Sequence, residues 1–491
     1  MKTLSKSRFV SGVQCEKKLW YSYYRKDLQL PTDEQTQAIF DLGHQIGNLA
    51  QNRFPNGKDA TPEDFSDFSP SIEKTKLWIA EEVETIYEAT FTAKNALCML
   101  DILHRMNDEI WAIEVKNSTS VKDYHLTDAS LQYFVMKEAG YAPDKFFLMH
   151  INNQYIKNGE LTDEFFHLED ITDKVLSKQT WVEENLERLL VMLENKQEPN
   201  VSIGAHCSSP FACDFVHHCW KHIPENSVFE LYRGGNKAWE LYEQGILKIE
   251  DIEDDFPLTH FQHLQRKGLR NQEQYINKEA IKNMISSWQF PLYFFDFETV
   301  FPAIPVLDGT RPYQQVPFQY SLHILEEDGK LSHKEFLAHP EDFSNGKNPL
   351  KLLVEQLKQD FGTDGNIVTY NQSFEVARLN ELGNMFPEDA PFLKNLVSRV
   401  VDLLPVFQGG FCYFPEMKNS ASIKSVLPAV APDFTYRNLV IQEGGTASSL
   451  YHQSILQQKF VEEDLAIHLL KYCELDTYAM VVIYQFLLSV V

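Results

Sequence analysis

Nothing in this 491-residue sequence reads as an apolar run of the length needed to cross a bilayer, about 20 residues for a helical span. The opening segment from Met1 to Phe9 carries lysines and an arginine where a signal peptide would be apolar, so a cytoplasmic protein without membrane partners is expected. Internal repeats and low-complexity tracts are absent, which leaves ordinary globular domains. Positive charge is scarce: 45 Lys and Arg stand against 70 Asp and Glu, a net charge of −25. That excess repels nucleic acid unless local basic patches or bound cations offset it. Cysteine is sparse too, at seven. What the chain does have is a hydrophobic content of 43% and length enough for two or three domains.

Tyr293 to Thr299 is the most informative stretch. It is an apolar run ending in two carboxylates, and alternation along a strand puts Asp296 and Glu298 on one face, with Phe295 and Phe297 buried on the other. Two carboxylates on one face repel unless a cation lies between them, most simply Mg²⁺ or Mn²⁺. A two-metal phosphodiester site needs about four such groups around ions ~3.5–4 Å apart. Ile367 to Glu375 offers one more, a strand running through a polar turn to a carboxylate at a helix start. Tyr472 and Asp476, four apart, share one helix face.

The N-terminal half carries a second acidic pattern. Leu97 to Leu103 reads as a strand bearing Asp101, and Ile110 to Lys116 as the next strand, with Glu114 and Lys116 on one face. A lysine beside two acids can orient a water or steady charge on phosphate while the acids hold a metal. His44 lies on a helical run, and Asp128, Gln132 and Tyr133 follow on a helix; alone, these read as surface positions. Basic residues cluster near the start, with Lys2, Lys6, Arg8, Lys17, Lys18, Arg25 and Lys26 against only Glu16 and Asp27. Cys98, Cys412 and Cys473 suit buried thiols. Cys207, Cys213 and Cys219 form a set too loose for a zinc ribbon and one ligand short, which Cys15 supplies. Four thiolates can hold zinc or an iron-sulfur cluster, and such thiols fit a reducing compartment.

These motifs carry a resemblance. Asp296 with Glu298, then Glu375, then Tyr472 with Asp476 look like the three motifs of the DEDD exonucleases, which have a ribonuclease H-like fold, in their tyrosine variant; the family has Asp where Glu375 stands. Asp101 with Glu114 and Lys116 resembles the PD-(D/E)XK nuclease core. That likeness implies His44 as a further metal ligand, and Gln132 and Tyr133 as nucleic-acid contacts of the RecB-like branch. The four cysteines resemble the [4Fe-4S] staple of RecB-like and CRISPR-associated iron-sulfur nucleases, which more often space three of them as C-x2-C-x5-C. As a whole the chain resembles bacterial proteins of the domain of unknown function 2779 family, through Ser5–Cys15, Glu114–Thr119, Tyr293–Thr299, Ser422–Pro428 and Tyr472–Thr477.

The expectation is therefore an α/β protein in three parts. Residues 1–222 would form a PD-(D/E)XK domain with a [4Fe-4S] cluster on Cys15, Cys207, Cys213 and Cys219; residues 223–290 a helical connecting module; and residues 291–491 a DEDD exonuclease-like domain. Within the last, the stretch from Pro405 to Gly445 reads as an insertion over the site, where Asp402 and Lys424 would join substrate binding. The implied activity is Mg²⁺- or Mn²⁺-dependent hydrolysis of DNA at two sites. One uses His44, Asp101, Glu114 and Lys116; the other uses Asp296, Glu298, Glu375, Tyr472 and Asp476. Lys17 and Lys18, with Gln132 and Tyr133, would contact the nucleic acid. Two alternatives stay open: RNA as the substrate, and a binding protein that keeps both folds but cuts nothing.

Overall fold

The computed structural model describes residues 2–491, the side chains of Glu34 and Gln35 apart. The chain divides into two compact units, Met1–His222 and Ile223–Val491. Both are mixed α/β.

The first unit is built on a seven-stranded sheet. Its strands are β1 (Leu4–Ser5), β2 (Lys58–Asp59), β3 (Thr85–Ala93), β4 (Ala96–Met106), β5 (Glu109–Lys116), β6 (Lys145–Ile151) and β7 (Phe166–Asp170). They run in the order β2-β3-β4-β5-β6-β7. β5 pairs only with the far half of β4, from Ile102 to Met106. The near half is left free, and β1 takes it, with Leu4 beside Ala96 and Ser5 beside Leu97. This places the chain start, and Lys6 with it, in line with the end of β5. Ser5 caps the helix that follows, Lys6–Gln14, by accepting from the Arg8 N–H. The helix Asp123–Glu138 is buried nearly all round, as a helix between a sheet and further helices must be. Its residues Leu131, Phe134 and Val135 join Leu100, Leu103, Phe146 and Leu148 of the sheet in one core.

In the second unit a short ribbon pairs β8 (Tyr275–Ile276) with β14 (Cys412–Tyr413). The main sheet has five strands: β9 (Leu292–Val300), β10 (Val316–Leu325), β11 (Leu331–Leu337), β12 (Ile367–Thr369) and β13 (Val400–Asp402), in the order β11-β10-β9-β12-β13. β9, β10 and β11 are antiparallel, whereas β12 runs parallel to β9 and to β13. Every residue of β10 is buried, so both faces of the sheet are covered. One face packs Phe295, Phe297 and Tyr320 with Leu353 and Leu357. The other packs Leu292 and Phe294 with Met480, Val481 and Ile483 of the helix Leu465–Val490.

That last helix corrects the sequence reading. By length and composition Leu465–Val490 is long and apolar enough to cross a membrane, with a mean hydropathy of 1.3 over its best window. Its apolarity is used internally: Leu465, Leu469, Met480, Ile483 and Leu487 are all buried in the unit's cores.

Candidate metal centres

In the second unit the alternation of β9 turns Asp296 and Glu298 to the face covered by the C-terminal helix, and that helix returns Tyr472 and Asp476 to them. Ligand atoms of Asp296, Glu298 and Cys473 lie within 4.8 Å of one another. Glu375, in the first turn of helix Gln372–Met385, is 2% exposed and lies against Asp296. Its Oε2 is buried with no hydrogen-bond partner.

The electrostatics are those of crowded, buried carboxyls that nearby cations offset only in part. Burial, with Asp476, Glu375 and Glu298 nearby, raises the Asp296 carboxyl well above the ordinary range. Burial and Asp476 push Glu298 up to about 8, against an opposing Lys424. Burial takes Glu375 to about 8 and Asp476 to about 6. Asp476 is held lower because the Tyr436 hydroxyl donates to it at 2.6 Å and Lys424 lies near. Lys424 is the single ammonium acting on this cluster among the described residues; its Nζ lies 5.2 Å from the centre of the Tyr472 ring and donates to Gln442 O at 2.7 Å. The helix Gly444–Gln457 begins at the site, where a Cβ on Gly444 would lie 3.7 Å from both Glu298 Oε2 and the Tyr472 hydroxyl. Asp402 serves the backbone instead: its carboxylate accepts from the N–H groups of Asn371, Gln372 and Leu404 at 2.9–3.0 Å. It thereby holds Asn371 at φ +83°, the sharp turn that starts Glu375's helix.

In the first unit the register across three strands makes a row of acids. Asp101 lies one residue before the Ile102–Ile113 pair, level with Glu114, and accepts from the Val115 N–H at 2.5 Å. On its other side, between the pairs Tyr87–Ile102 and Ala89–Leu100, stands Glu88. Glu88 has φ +53°, a strained value for a side chain with a Cβ. Burial and Asp101 push it up to about 8, and burial and Glu114 push Asp101 up to about 6. Glu114 behaves oppositely. Burial opposes its charge, but the Lys116 and Lys6 ammoniums, at 2.7 and 2.8 Å from Oε1, hold it well below the carboxylate range. Lys116 also pairs with Asp128 at 2.7 Å.

Gln132 and Tyr133, expected at the nucleic acid, are both buried. Gln132 donates to Glu114 Oε2 at 2.8 Å, so its observed partner is the carboxylate. His44 is exposed on helix Glu34–Gln51, which packs against β5; no described contact joins it to the acids. Sequence reasoning missed Glu88 and the roles of Lys6 and Tyr436. A glutamate inside the apolar run from Ile86 to Phe91 was a readable signal for the first; the other two depend on chain path alone.

Cys15, Cys207, Cys213 and Cys219 line one pocket, all as free thiols, with Lys17, Lys18 and Tyr21 beside them. Gln14 brings the ends together by donating to His206 O and Phe211 O, both at 2.7 Å. Lys17 pairs with Glu198 at 3.1 Å, and Lys18 donates to Gln14 at 3.2 Å.

Residues 293–422, which hold Asp296, Glu298 and Glu375, match one family model. Its description is "Domain of unknown function (DUF2779)". Among curated proteins, the "Uncharacterized protein MG366" of Mycoplasma genitalium is 29% identical over 211 residues, which is 40% of this chain and 31% of that protein. Its homolog in Mycoplasma pneumoniae is 30% identical over 214 residues, 40% of this chain and 32% of the relative. The "Uncharacterized protein UU173" of Ureaplasma parvum is 27% identical over 232 residues, 43% and 33% respectively. The matched segment spans about a third of the length of these relatives. A solved structure titled "Crystal structure of SSO0001" is similar at 15% identity over 45% of this chain and 86% of that one, with a TM-score of 0.25, too low to argue from.

Proposed function

We propose that the chain is a divalent-metal-dependent phosphodiesterase acting on DNA, with a principal site in the second unit and a separate one in the first. The observation that carries this is the convergence of Asp296, Glu298, Glu375 and Asp476 in one buried space, each carboxyl raised by burial. Lys424 and Arg378 offset the crowding of four carboxyls only in part, and Glu375 Oε2 is left without a hydrogen-bond partner. Those donors fit hard cations, Mg²⁺ or Mn²⁺, with Asp296, Glu298, Glu375 and Asp476 as ligands. A metal pair there would supply charge stabilisation at the attacking and leaving oxygens of a phosphodiester.

The chain's own groups have distinct tasks. The Tyr472 hydroxyl, lying near Gly444 and Glu298, would orient the attacking water, and Lys424 would meet negative charge building on phosphate. In the first unit Asp101, Glu114 and Glu88 would bind cation, while Lys116 positions water and Gln132 fixes Glu114. The four cysteines would hold a [4Fe-4S] cluster. Their convergence on one pocket, all as free thiols, supports this.

Full-length protein purified without oxygen, with Mn²⁺ and end-labelled single-stranded and duplex DNA, tests this. Asp101→Ala and Asp296→Ala should each remove a separable activity, by 10²-fold or more on the order expected for losing a metal ligand. A double variant that digests as fast as the parent contradicts both sites, and binding without shortening of the label favours the non-cutting alternative. RNA in parallel reactions decides the substrate.

A further inference from the structure

The second unit brings a different trio together beside the carboxylate cluster. His323 on β10 and His333 on β11 are direct cross-strand partners, with ring centres 4.4 Å apart. Glu474 joins them from helix Leu465–Val490, and one ligand atom from each of the three lies within 4.8 Å of the others. His323 is buried, His333 half-buried and Glu474 exposed, so the trio opens to solvent on one side.

A chain of hydrogen bonds links both imidazoles through two hydroxyls. Thr477 Oγ1 lies 2.8 Å from His323 Nδ1, 2.7 Å from Ser321 Oγ and 3.1 Å from the Glu474 carbonyl. Ser321 Oγ in turn lies 2.9 Å from His333 Nε2. Where each ring gives its N–H to the hydroxyl it touches, His323 Nε2 and His333 Nδ1 keep a lone pair for an ion. A metal-ligating histidine typically has its second nitrogen held in this way by an outer hydrogen-bond partner. Another trio, His150, His167 and Glu169 in the first unit, is as close but differs in one respect. There the Lys174 ammonium sits 2.8 Å from Glu169 and already balances it, whereas Glu474 has no ion pair among those described.

We propose that His323, His333 and Glu474 form a binding site for a borderline transition-metal ion, Zn²⁺ by chemical class, separate from the Mg²⁺/Mn²⁺ carboxylates. Two imidazoles and one carboxylate are a zinc ligand set, with water in the fourth position, and small side-chain rotations bring the ligands to the ~3.3 Å separation of a tetrahedron. The ion ties the β10–β11 hairpin to the helix that carries Tyr472 and Asp476, and so fixes that helix along its axis.

The test uses the full chain stripped with chelator, then dialysed against Zn²⁺ in excess Mg²⁺, with zinc counted per chain. His333→Gln and Glu474→Gln change half-buried and exposed side chains and should leave the fold intact, as near-ultraviolet circular dichroism will show. Parent protein should retain one zinc more than His333→Gln. Glu474→Gln should weaken that zinc at least tenfold, and the double variant should lose no second equivalent. The thiols are unchanged throughout, so zinc held by cysteine cancels in the comparison. Equal zinc in parent and both variants overturns the proposal, as does loss of two independent equivalents in the double variant.

Discussion

At the scale of single residues, the two acidic sites differ in how their charge is met. Glu114 has two ammoniums on one oxygen and an amide on the other, and it stays ionised. Glu298 and Glu375 have far less, and both rise from an ordinary 4.5 to about 8. A carboxyl raised on folding stabilises the folded state fully below its unfolded value and loses that contribution as pH climbs through the folded one. Metal-free protein should therefore melt at a lower temperature at about pH 8.5 than at about pH 5.5. Millimolar Mn²⁺ should raise the melting temperature more at the higher pH, and Asp296→Asn should flatten both effects. Equal stabilisation by Mn²⁺ at both pH values would contradict this assignment of charge. These residues were legible in sequence because a strand's alternation is local: Asp296 and Glu298 must share a face whatever the rest of the fold does. Tyr436 was not, since it reaches Asp476 from 40 positions away; Glu88 was readable as an acid in an apolar run, but not the strained φ that turns it to the site.

At the scale of elements, the strands bearing motif acids read clearly, because each is an apolar run of the right length with turn residues at its ends. The helix Leu465–Val490 read as an amphipathic run, and its two faces are distinct: Ile467, Lys471, Glu474 and Gln485 are exposed, whereas Leu469, Tyr472, Asp476, Met480 and Ile483 are buried. β1 was invisible: two residues long, it exists only because β5 stops short on β4. Yet it delivers Lys6 to Glu114. Lys6→Met should destabilise the first unit by about 1–2 kcal/mol, the scale for one hydrogen bond to a charged group, since Lys116 and Gln132 still hold Glu114. It should also tighten Mn²⁺ at Asp101 and Glu114, because an ammonium that competes for the same oxygen is gone. Calorimetric titration of the variant in an Asp296→Ala background reads this, and weaker or unchanged Mn²⁺ affinity would show that Lys6 does not compete.

At the scale of the whole molecule, each unit closes its own core and its own candidate site. A cluster on the four cysteines would tie residue 15 to residues 207–219, enclosing nearly all of the first unit and none of the second. Cys213→Ser should abolish iron content and the visible absorbance of the parent, lower the first unit's stability, and leave the activity removed by Asp296→Ala unaffected. Loss of both activities together would show that the units depend on each other. The bracketing of one unit by distant thiols was readable from spacing, whereas the pocket they line depends on Gln14 clamping the 206–211 loop.

The phosphodiesterase proposed for the second unit turns on divalent cations lying among four carboxylates. Crystals of the full chain soaked in Mn²⁺ and measured at the manganese absorption edge test this most directly. Anomalous peaks about 2.2 Å from oxygens of Asp296, Glu298 and Asp476 are expected. No anomalous density there at saturating Mn²⁺ would contradict it.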